Sequence, residues 1–197
     1  AAPCSPREKL VGLHGMRRRQ TEEADEGKKR ELLREYQAFM DGMEKLPDAP
    51  ERIYLWQEGN MPETGEYTAN PGFRYNHDPD FRPYMYEFLL PKDVTPKGAV
   101  VLCAGGDHGD CVIHEAYQSC LDFNKLGYQS FMLLNRTNRM PYTGQECGAD
   151  AARLIRMIRK DAAKYRIREN QVAFAGFSNG GLTGEECIRY YSGKQKV

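Results

Sequence analysis

No stretch of this sequence is long and apolar enough to span a bilayer, which takes about 18 consecutive apolar residues. Neither sign of charge dominates, since Lys+Arg and Asp+Glu both number 28. The bulk electrostatics therefore give no reason to expect nucleic acid or an anionic membrane as a partner. The six cysteines (Cys4, Cys103, Cys111, Cys120, Cys147 and Cys187) form no CxxC pair and lack the regular spacing of a disulfide framework. They read as free thiols in or near a core, and six reduced thiols fit a cytoplasmic protein better than a secreted one. There is no internal repeat, no low-complexity tract and no basic-then-apolar leader of the kind that directs secretion.

What is there fits one packed domain with a loose lead-in. Residues 1–20, with Pro3, Pro6 and the run Arg17-Arg18-Arg19, read as a disordered, solvated tail. Over residues 21–50 the pattern turns helical. Leu32, Leu33, Tyr36, Phe39, Met40 and Met43 recur at three- and four-residue steps on one face, and Pro47 and Pro50 stop the helix. That apolar stripe is expected to pack on the domain surface. Residues 51–197 form the rest of the domain. In the turn-rich stretch to Tyr84, His77-Asp78-Pro79-Asp80 gathers metal-ligating side chains, but neighbours in one loop rarely surround one ion, and no metal is expected.

From there strand and helix alternate. Met85–Leu90, Ala99–Cys103, Gln129–Leu134 and Val172–Phe177 read as strands. Helices are expected over His114–Leu126, after a Thr143-Gly144-Gln145-Glu146 capping box, and over Gly180–Tyr191. Apolar strands alternating with amphipathic helices imply a doubly wound, mostly parallel sheet with right-handed crossovers.

One segment carries chemistry. Val172 to Gly181 contains Gly176-Phe177-Ser178-Asn179-Gly180, a Gly-x-Ser-x-Gly turn between a strand and a helix. A serine on such a strained turn projects its oxygen above the sheet, and bulk two residues to either side would collide with neighbouring backbone. The helix that follows points its positive end at the site. A second glycine-rich turn, Gly105-Gly106-Asp107-His108-Gly109, leaves the strand Ala99–Cys103. Two backbone N–H groups are needed to hold the oxyanion of a tetrahedral intermediate. Asn179, directly after the serine, is expected to supply one, and Gly106 or Asp107 the other. Gly105 and His108 are candidates to line the pocket.

With these motifs the chain resembles the α/β-hydrolases, and among them the acetyl xylan esterases and related short-chain carbohydrate esterases. The matching stretches are Ile53-Tyr54-Leu55-Trp56, Val100 to Gly106, His114-Glu115 and Ala175 to Gly181. The resemblance implies hydrolysis of small acyl esters, such as acetyl groups on a sugar, through an acyl-enzyme on Ser178 and without a cofactor. Family members often carry a third glycine where this chain has Asp107, whose side chain would narrow the acyl pocket.

The triad of this fold runs serine, then acid, then histidine. All four histidines (His14, His77, His108, His114) precede Ser178, and Glu185 and Glu186 lie in the elbow's own helix. The sequence therefore reads as a hydrolase domain truncated after the elbow helix. The triad acid and base, and the cover for the exposed edge of the elbow strand, would come from a missing carboxy-terminal part or from another chain. Two alternatives stand beside the esterase: a ligand-binding or interaction module on a degenerate hydrolase fold, and an amidase or peptidase using the same elbow.

Overall fold

The computed structural model describes residues 50–62, 66–67, 81–107, 111–137, 139–140 and 145–193. The expected lead-in, the amino-terminal helix, Thr143 of the capping box and His108 all lie outside the described residues. Among the described residues there are seven strands, β1 (Arg52–Tyr54), β2 (Glu66–Tyr67), β3 (Tyr84–Phe88), β4 (Ala99–Cys103), β5 (Gln129–Leu134), β6 (Arg139–Met140) and β7 (Val172–Gly176). The helices described with them are α1 (Ile113–Lys125), α2 (Gln145–Lys160) and α3 (Asn179–Tyr191).

Five strands form the main sheet in the order β1-β3-β5-β4-β7, while β2 and β6 pair separately. β4 runs parallel to both β5 and β7. β3 is antiparallel to β5 and to β1, so β3 alone runs against the other four strands. The sheet is α/β as expected, but mixed: both pairings of β4 are parallel and both pairings of β3 antiparallel. An apolar run says that a strand is buried, not which way it points, so the reversal at β3 lay beyond periodicity.

Strands β4 and β5 are buried at every residue because both faces of the sheet are covered. One core lies under α1: Val100, Leu102, Met132 and Leu134 meet Ile113, Ala116, Tyr117 and Cys120. The opposite face sends Val101, Cys103, Phe131 and Leu133 against Ala149, Ala151, Leu154 and Ile158 of α2. The alternation of side chains along a strand thus feeds two separate cores. Helix α3 packs on α2 at Gly148, where a Cβ would fall 2.9 Å from the Glu186 carbonyl carbon. None of the five described cysteines is in a disulfide, and four of them are buried. No helix among the described residues is long and apolar enough to cross a membrane.

Topology places a crevice. From β4 the chain crosses by α1 to β5 on one side, whereas β7, reached through α2, lies on the other. At such a switch point the loops leaving two neighbouring parallel strands part to opposite faces, and ligands bind between them. Here those loops are Ala104–Asp107 after β4 and Phe177-Ser178 after β7.

Candidate active site

Ser178 sits between β7 and α3 with φ 49° and ψ −122°, a conformation that side chains other than glycine rarely adopt. Neighbouring backbone enforces it. Phe177 N–H extends the β4/β7 ladder by donating to the Cys103 carbonyl at 3.0 Å, and Gly180 N–H turns back onto the Phe177 carbonyl at 2.7 Å. Helix α3 starts at once, with Gly181 N–H on the Ser178 carbonyl at 2.9 Å.

The two glycines of the motif are steric requirements. A Cβ on Gly176 would lie 2.2 Å from the Gly180 carbonyl carbon and oxygen, and one on Gly180 would lie 2.4 Å from the Cys103 carbonyl oxygen. Backbone cannot retreat from either contact, so the turn closes only with glycine at both positions. The Ser178 side chain makes no cap bond to its helix, and the residue is exposed.

Facing it is the turn after β4. Gly105 is packed against the elbow so closely that a Cβ would meet the Phe177 carbonyl oxygen at 3.0 Å and the Ser178 Cβ at 3.1 Å. Both backbone groups of Gly105 are used by the start of α1: its N–H donates to Glu115 Oε2 at 3.0 Å and its carbonyl accepts from Val112 N–H at 2.8 Å. Gly106 (φ 142°) and Asp107 (φ 54°) then turn the chain through positive φ.

Of the two expected candidates for the second oxyanion donor, Asp107 has its N–H committed elsewhere, to the side-chain oxygen of Asn179 at 2.9 Å. Among the described residues the Gly106 N–H makes no hydrogen bond. Asn179 is buried, and its carbonyl accepts from the Thr183 hydroxyl at 3.1 Å. The elements thus bring Ser178, Asn179, Gly105, Gly106 and Asp107 together. Glu115, which the sequence reading touched only as part of a resemblance, belongs to this group. An acid in the first helical turn after a glycine-rich loop was the available signal.

His114, on the first turn of α1, is the single histidine among the described residues. Glu185 and Glu186 stay on α3, paired with Arg189. No cluster of three or more metal-ligating side chains is found among the described residues.

At the end of β5, Arg136 and Asp150 form a fully buried ion pair, with Nη2 on Oδ1 at 2.9 Å and Nε on Oδ2 at 3.1 Å. Trp56 Nε1 adds a bond to Oδ1 at 2.8 Å, the Arg136 N–H one to Oδ2 at 2.9 Å, and the guanidinium also donates to the Pro62 carbonyl. Beside it, burial pushes the Cys103 thiol far above its ordinary range, with nearby Cys147 adding to the shift.

No family profile matches the chain. An endo-1,4-beta-xylanase B of Butyrivibrio fibrisolvens is 28% identical over 148 residues, covering 71% of this chain and 23% of that protein. The solved acetyl ester-xyloside bifunctional hydrolase of Caldicellulosiruptor lactoaceticus superposes with a TM-score of 0.55 at 27% identity, covering 68% of this chain and 44% of its own. The native esterase Est2 of Thermogutta terrifontis superposes with a TM-score of 0.53 at 17% identity, covering 76% of this chain and 48% of its own. The chain therefore spans about a quarter of that curated relative and under half of either solved structure.

Proposed function

We propose, from the premise that this chain has the α/β-hydrolase fold, that it carries the nucleophilic half of a carboxylic ester hydrolase acting on short acyl esters. The observation that carries this reading is Ser178 itself, held exposed at φ 49° by two glycines that admit no Cβ. A strained, solvent-facing serine at the switch point of a parallel sheet is costly to keep without chemistry to perform.

In this reading the Ser178 hydroxyl attacks the ester carbonyl, its proton passing to a base. The negative charge that develops on the carbonyl oxygen is met by the backbone N–H groups of Asn179 and Gly106. Collapse of the tetrahedral intermediate expels the alcohol, which takes the proton from the base, and water then releases the acid from the acyl-enzyme. A histidine and acid brought to Ser178 by polypeptide outside the described residues complete the triad. The same polypeptide covers the edge of β7 that is unpaired among the described residues.

An acetylated carbohydrate is the substrate class favoured by the likeness to an acetyl ester-xyloside hydrolase at 27% identity. Buried thiols outside any disulfide suit a reducing compartment such as the cytoplasm. The test is hydrolysis of p-nitrophenyl acetate, with fluorophosphonate capture of Ser178, beside a Ser178→Ala control. Turnover and capture that both vanish in the variant support the reading. Turnover unchanged in the variant, or a wild-type serine that is never captured even with the rest of the domain supplied, refutes it and favours a binding module.

A further inference from the structure

The turn that faces the nucleophile is clamped at both ends and open in the middle. At one end the Glu115 carboxylate takes the Gly105 N–H at 3.0 Å. At the other, Asn179 Oδ1 takes the Asp107 N–H at 2.9 Å across 72 residues of sequence. Between them the Gly106 N–H makes no bond among the described residues. Asp107 sits at φ 54°, a strained value for a residue with a side chain, and the Asn179 bond is what this turn gains by adopting it.

We infer that the Asn179 side chain is a positioning residue, a latch by which the nucleophile elbow sets the opposing oxyanion turn. The inference rests on the hydrolase reading above and adds a role for the side chain that the reading does not need. One residue then governs both halves of the oxyanion site. Its own N–H opens α3 next to Ser178, while its carboxamide holds Asp107 so that the N–H of the preceding Gly106 is aimed at the acyl oxygen. The latch also removes the Asp107 N–H from competition for the substrate. Burial favours such a bond, because a side chain on a residue at 5% exposure has little water to exchange with.

The residue is chosen for shape as well as polarity. The Asp107 N–H needs an acceptor of that reach from the first position of α3, which Asn179 Oδ1 supplies, and Thr183, fully buried one turn on, fixes the Asn179 carbonyl through its hydroxyl at 3.1 Å. Asp keeps both size and acceptor, Leu keeps size without the acceptor, and Ala removes both.

The experiment compares the wild-type protein with Asn179→Ala, Asn179→Leu and Asn179→Asp by two readouts. The first is deuterium exchange at the Asp107 amide, followed by NMR. The second is Ser178 capture by a fluorophosphonate, with the maximal rate and the half-saturating concentration separated. Loss of the acceptor in Asn179→Ala and Asn179→Leu is expected to speed exchange at Asp107 by about tenfold, the worth of one buried hydrogen bond. The same two variants are expected to lower the maximal capture rate by about tenfold or more while the half-saturating concentration holds, because the loss is felt in the charged transition state. Asn179→Asp restores slow exchange. Should Asn179→Ala fail to fold, the Leu and Asp variants carry the comparison alone.

Exchange and capture both at wild-type values in Asn179→Leu overturn the latch, as does a capture loss that appears equally in the half-saturating concentration. If exchange at Asp107 responds as expected but wild-type Ser178 is never captured, the latch stands and the hydrolase reading is what fails.

Discussion

Gly180 and Cys103 are in such close apposition that a single methyl on the glycine would stand 2.4 Å from the cysteine's carbonyl oxygen. The contact joins α3 to the end of β4 and fixes how near the serine comes to the facing turn. Gly180→Ala is expected to destabilise the fold by about 3 kcal/mol or more, since backbone must move to admit the methyl. Gly181→Ala, where the nearest atom is 3.6 Å away, serves as the control and is expected to be neutral or mildly stabilising. Urea unfolding of the two variants tests the contrast, and equal losses would contradict it.

Ser178 trades stability for exposure. Replacing it by glycine keeps the turn and relieves the positive φ, so Ser178→Gly is expected to raise stability by about 1 kcal/mol while abolishing fluorophosphonate capture. Ser178→Ala keeps the strain and should leave stability near wild type. A glycine variant no more stable than the alanine variant would mean that the elbow is not strained.

The buried Arg136–Asp150 pair ties the end of β5 to α2, and its groups are nearly all satisfied by one another and by Trp56. Removing one partner leaves a charge without water or counter-ion. Asp150→Ala is expected to cost about 3–5 kcal/mol. Trp56→Phe, which removes one neutral donor, is expected to cost about 1 kcal/mol. Denaturant midpoints measure both, and a loss under about 1 kcal/mol for Asp150→Ala would show that solvent reaches the pair.

Alkaline pH gives a further test. Burial raises the Cys103 and Cys120 thiols above their ordinary value of 9.0 in the folded chain. The folded state therefore keeps these protons after the unfolded state has released them. Their contribution is fully present below about pH 8.5 and is lost as pH rises above it, by about 1.4 kcal/mol per pH unit for each thiol. Stability measured from pH 8 to 10.5 should fall more steeply than in Cys103→Ala. The half-buried Cys187, raised less, should be the first of the three to react with iodoacetamide.

How much of this was legible beforehand follows from what a local pattern can encode. β4 was readable because it is an unbroken apolar run between turns, and β5 because the apolar run from Phe131 to Leu134 follows the turn at Gly127 closely, both short enough to be buried strands. The elbow was readable because strain, strand and helix fall within ten consecutive residues. The reversed direction of β3 was not, since alternation is blind to polarity of the chain. Neither was the latch, because nothing near Asp107 announces a partner 72 residues away. For the same reason only the fold shows that the Asp107 N–H is taken up by Asn179.

Strand β7 has a neighbour on one side only among the described residues, and this has a consequence for how the chemistry can be controlled. Among the described residues Ser178, the proposed nucleophile, hangs from a border strand of the sheet, not from its middle. If the proposed second segment zips onto that border, the alignment of the serine becomes a collective property of the two. On that proposal the site would behave like a two-key lock: competence would arrive with the second key, and loosening that segment would disarm the serine without touching it.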